Sequence, residues 1–114
     1  MDIKRQFPQS NQTLGERIAD ALHTAAEKKA AAFRTERLYK RTFAQVLLMI
    51  TDAKNVAERE ARALTSPAVI EAEDRWISAQ TLWNIAQAEA DGLQVRFEEF
   101  RTLEATERAK MNLR

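Results

Sequence analysis

The sequence predicts an all-α protein built on a long antiparallel helical hairpin. Three observations carry that expectation. The 114 residues include two prolines and two glycines, too few turn-formers for a sandwich or a barrel. Ala, Leu, Glu, Arg, Lys and Gln, the strong helix formers, dominate the composition. Apolar residues recur at three-and-four spacing in two long stretches separated by Ser66-Pro67.

Residues 1–12 are polar, contain Pro8 and lack periodicity, so they read as a flexible polar arm. Residues 13–114 read as a single helical domain. Thr13 and Glu16 have the spacing of a capping box, which starts the first helix at Leu14. Ile18, Leu22, Ala25, Ala32, Tyr39, Phe43, Val46 and Ile50 then share one face, interrupted by Lys29 and Glu36. The pattern weakens at Thr51-Asp52-Ala53-Lys54, and Asn55 with Glu58 has the spacing of a second cap. The first helix therefore either breaks near residues 51–55 or continues as a rod to Leu64. Ser66 suits an N-cap and Pro67 the first helical position, where the missing N–H costs nothing.

The helix from Pro67 carries a heptad seam: Val69, Ala72, Trp76, Ala79, Trp83, Ala86, Ala90, Leu93, Phe97, Phe100, Glu104, Glu107 and Met111. A hairpin turning at 65–66 pairs residues whose numbers add up to about 131. It sets Ala86–Ala90 near Tyr39 to Phe43, Trp83 near Leu48, and Phe97, Phe100 and Leu103 near the alanines of Ala25–Ala32. Large residues then face small ones, as interdigitating layers require. Val46-Leu47-Leu48-Met49-Ile50 is apolar on every side, more than one neighbouring helix covers. The expectation is a homodimeric helical bundle, with coiled-coil-like packing through Val46, Leu47, Ile50, Trp76, Trp83, Phe97 and Phe100.

Chemistry is sparse. The chain has no cysteine, which excludes disulfides and thiolate catalysis. His23 has no nucleophile–base–orienter set around it in sequence, and Glu104 and Glu107 have the spacing but not the histidine of a bundle metal site. Gly15 and Gly92 stand alone, so there is no phosphate-cradling loop. These features predict no enzyme, no cofactor, no metal and no small-molecule substrate. A small-molecule pocket near His23 or the tryptophans has the least support. Thr42–Thr51 is an uncharged stretch of ten residues, and a membrane helix needs about 20 apolar ones. With no apolar run after Lys4 and Arg5, a cytoplasmic protein is expected.

Charge is uneven. Residues 1–65 hold 12 Lys and Arg against 8 Asp and Glu, and residues 66–114 hold 6 against 9. The densest basic cluster is Arg34, Arg37, Lys40 and Arg41, with the arginines at i, i+3 and i+7 on one helix face. Such a stripe could follow a nucleic-acid backbone and bind it salt-dependently. In the register above it could equally pair with Asp91, Glu98 and Glu99. Trp76 and Trp83, one heptad apart, could stack on a ligand, although seam tryptophans are more commonly core.

Asn11-Gln12-Thr13-Leu14 entering a helix, Arg34–Arg41 leading into an apolar run, the stretch from Ala88 to Arg101, and the ending from Arg108 to Arg114 resemble small helical proteins encoded by tailed bacteriophages. The resemblance spans most of the chain and rests on no catalytic or ligand motif, so it transfers no functional residue. It implies the cytoplasm of an infected bacterium, and either an inhibitor that binds a host protein or an accessory to DNA metabolism. The function expected is a non-catalytic protein-interaction module. The alternative is a nucleic-acid-binding accessory using the basic stripe.

Overall fold

The structure is a computed structural model that describes residues 12–113. The expected arm at 1–12 lies outside these residues except for Gln12, whose side-chain amide donates to Asp20 Oδ2 at 2.8 Å. About nine-tenths of the described residues are helical, in three helices: α1 (Leu14–Met49), α2 (Val56–Leu64) and α3 (Pro67–Asn112).

Each boundary follows from local hydrogen bonding. The Glu16 amide donates to Thr13 Oγ1 at 3.1 Å, so Thr13 caps α1 as its spacing predicts. The break near 51–55 is present. α1 ends at Met49, and its last turn tightens where the Ile50 amide reaches the Leu47 carbonyl at 3.3 Å. Asn55, in an extended conformation, accepts the Glu58 amide at 2.8 Å, and the Glu58 carboxylate in turn accepts the Lys54 amide at 3.0 Å. Thr65 closes α2 by donating from both its amide and its hydroxyl to the Ala61 carbonyl. The Ile70 amide reaches the Ser66 carbonyl at 3.0 Å, which starts α3 at Pro67. Mid-helix threonines are accommodated because their hydroxyls donate to carbonyls of the preceding turn, as Thr35, Thr42 and Thr81 do.

The described residues gather into two compact units. Residues 26–84 make one: the later part of α1, all of α2 and the start of α3. The long helices run antiparallel in it. Tyr39 stacks on Trp76 with centroids 5.3 Å apart, and Phe33 meets Trp83 edge-on at 5.8 Å. Ala32, Ala63, Val69 and Ala72 are buried, and Val69 is the largest side chain fully enclosed. Small residues on both sides let the backbones approach, and the aromatic rings close the flanks.

This pairing corrects the expected register. Facing residues have numbers that add up to about 115 rather than 131, so Trp83 meets Phe33 and not Leu48. The reason is α2. The reversal of direction takes up the whole of residues 50–66, and its midpoint falls inside α2 instead of at Ser66-Pro67.

Residues 12–25 and 85–113 make the other unit. Its buried residues are Ala25, Ala86 and Ala90. Arg17, Asp20, Ala21 and Thr24 of α1 line a shallow cleft with Glu89, Gly92, Leu93 and Arg96 of α3. In that pairing Leu14, the first residue of α1, lies level with about residue 99 of α3. The turns of α3 from Phe100 to Asn112 therefore extend about 20 Å beyond α1. Every residue from Gln94 to Leu113 is exposed.

Phe97 and Phe100, expected in an interface or core seam, are 37% and 54% exposed in the chain by itself. The heptad pattern of α3 continues past the point where α1 supplies a partner. Phe97 carries the Arg101 guanidinium 5.9 Å from its ring centre instead.

Candidate interaction surfaces

The basic stripe lies on exposed turns of α1: Arg34, Arg37, Lys40 and Arg41 all reach solvent. Lys40 pairs with Glu36 one turn back at 3.0 Å. Among the described residues, Arg34, Arg37 and Arg41 make no ion pair or hydrogen bond. The register of this unit sets the stripe against residues 74–81 of α3, well before the acids expected to neutralise it, Asp91, Glu98 and Glu99. Phe33, Glu36, Arg37 and Lys40 line a small groove. One turn earlier the Lys29 ammonium sits 5.7 Å from the ring centres of both Phe33 and Trp83. The stripe is thus a run of free guanidinium groups beside an aromatic pair already occupied by a lysine.

Trp76 and Trp83 are half-buried and committed to Tyr39 and Phe33. Val46, Leu47 and Ile50 are half-buried as well. Their neighbours Leu48 and Met49 are 80% and 79% exposed, and Val56, across the connection, is 68% exposed. The backbone bearing these side chains is well bonded. Besides the Asn55 cap and the Lys54–Glu58 bond, Arg62 holds Asp52 at 2.8 Å. The Arg62 hydrogen bond keeps the Asp52 carboxyl below its ordinary pKa, helped by a backbone hydrogen bond and by the guanidinium charge. Sequence reasoning named Val46, Leu47 and Ile50 of this run for the packing seam and read the run as apolar on every side; the place where α1 stops decides which of these residues the hairpin covers.

The second exposed apolar surface is the end of α3. Phe100, Leu103, Glu104, Glu107, Arg108 and Met111 line one groove there, with Phe100 54%, Leu103 65% and Met111 69% exposed. Glu104 lies 3.8 Å from Arg108, and Glu107 lies 3.7 Å from Lys110.

His23 is exposed on α1. Among the described residues no three His, Asp or Glu side chains group to hold a metal ion, and no helix is long and apolar enough to cross a membrane. No protein-family model matches the sequence, and neither a curated protein nor a solved structure matches it.

Proposed function

We propose that the chain is a non-catalytic helical protein-interaction module, encoded by a bacteriophage, that acts in the host cytoplasm by binding and modulating a host factor. The reading includes self-association into a dimeric helical bundle. The observation that supports it best is the pairing of a braced backbone with solvent-facing apolar side chains at the α1–α2 connection. Asn55, Glu58, Asp52 and Arg62 hold the connection in place, while Leu48, Met49 and Val56 stand in water. Exposed apolar side chains on a prearranged backbone favour association, because little conformational entropy remains to be lost on binding.

A second reading has its own observation. Arg34, Arg37 and Arg41 have no carboxylate partner among the described residues, which suits phosphate contacts and supports a nucleic-acid-binding accessory.

An affinity pull-down from bacterial lysate, divided into nuclease-treated and untreated halves, tests both. The interaction reading expects a distinct protein that survives nuclease and is lost when Leu48, Met49 and Val56 are changed to serine. Material that disappears with nuclease, and that depends on Arg37 and Arg41, would overturn it in favour of the second reading.

A further inference from the structure

We infer that the segment of the partner protein that docks here is an acidic peptide with apolar anchors at one end, seated along the outer face of α1 from Arg34 to Met49. The inference rests on the interaction reading above and gives its partner a chemistry. Arg34, Arg37, Arg41, Ala44 and Leu48 succeed one another at steps of three and four, so they share one face of α1. All five are exposed. The unpaired guanidinium groups and the bare leucine therefore form one surface and not two. From Arg34 to Leu48 it runs about 21 Å along the helix axis, with the cations at one end and Leu48 beside Met49 at the other. No acid interrupts it. Between residues 30 and 50 the sole acid is Glu36, which lies off this face and holds Lys40 at 3.0 Å.

The two ends of the surface make different demands, and one occupant meets both. Arg34, Arg37 and Arg41 have no carboxylate bonded to them among the described residues, so their matching anions must come from outside the hairpin. Carboxylates are suited to them, because an Arg–carboxylate pair makes two parallel charge-assisted hydrogen bonds. Leu48 and Met49, 80% and 79% exposed, call for apolar side chains on the same partner. A nucleic-acid backbone answers the arginines but not the leucine and methionine, since the contacts it offers are chiefly phosphate and sugar. A peptide with carboxylates followed by large apolar residues answers both ends. Its charges set the direction in which it lies, acidic end toward Arg34, and its apolar residues supply the burial.

The test uses the full chain as bait for a displayed library of random peptides of about 16 residues, long enough to follow this face as a helix. Enriched sequences should combine Asp and Glu with large apolar residues more often than the unselected library does. A synthetic copy of the most enriched peptide should bind in fluorescence anisotropy. Arg37→Glu with Arg41→Glu should weaken it at least tenfold, and Leu48→Ser to a similar extent, each with unchanged helical circular dichroism. Repeating the selection on the doubly reversed chain should turn the enriched charge to Lys and Arg, a switch that loss of folding cannot produce. Enriched peptides without an acidic bias, lost with Leu48→Ser and indifferent to the arginine reversals, would overturn the acidic partner and leave the interaction reading standing. A selection that enriches no sequence would overturn the inference as well. Binding of a DNA duplex through Arg37 and Arg41, without regard to Leu48, would then overturn the interaction reading with it.

Discussion

At the residue scale, the pair most informative about the connection is Asp52 with Arg62. It is solvent-exposed, so its energy is small at neutral pH. Its sign is nevertheless definite. The folded carboxyl is more acidic than the unfolded one, so folding favours the ionised form. That stabilisation is complete above the ordinary Asp value of about 3.9 and is lost as the pH falls through the lower folded value. In Asp52→Asn the urea midpoint should therefore decline less steeply than in the natural chain between about pH 5 and about pH 2.5. Equal slopes would mean that the pair does not form in solution. The neighbouring Lys54 amide is held by a carboxylate as well, so the whole connection is braced by side chains.

At the element scale, α3 contains one residue whose chemistry opposes its conformation. Gly92 lies mid-helix with no positive φ, and a Cβ built on it meets nothing within 4 Å. Nothing in the fold requires a glycine there. Gly92→Ala should raise unfolding free energy by about 1 kcal/mol, mainly by narrowing the unfolded ensemble, as read by chemical denaturation. Destabilisation would reveal a requirement for an open backbone in the cleft lined by Arg17, Asp20 and Arg96.

The caps at Thr13 and Asn55 and the start at Pro67 were legible because each depends on residues within four positions. The register was not. Residue spacing identifies the face of a helix but is silent on how far along its partner that face slides. Here the slide depends on the 17 positions between Met49 and Pro67, whose middle is itself helical. The exposure of Phe100 was hidden for the same reason. It continues a regular pattern, and its burial depends on where a different helix begins.

At the scale of the whole molecule, the buried positions among the described residues are nearly all alanine: Ala25, Ala32, Ala63, Ala72, Ala86 and Ala90 with one valine, Val69, while larger side chains such as Trp76 and Trp83 are half-buried. A methyl group shields far less hydrocarbon than a leucine side chain, so melting newly wets little apolar area per residue. Heat capacity tracks that area. Calorimetry should therefore give an unfolding increment at or below the lower end of the usual range of about 12–15 cal/mol/K per residue. A value at the upper end would require more buried hydrocarbon than this chain encloses by itself. A small increment flattens the curve of stability against temperature. The protein should accordingly vary little in stability below its melting temperature, and should resist cold denaturation better than a chain with a leucine-rich interior.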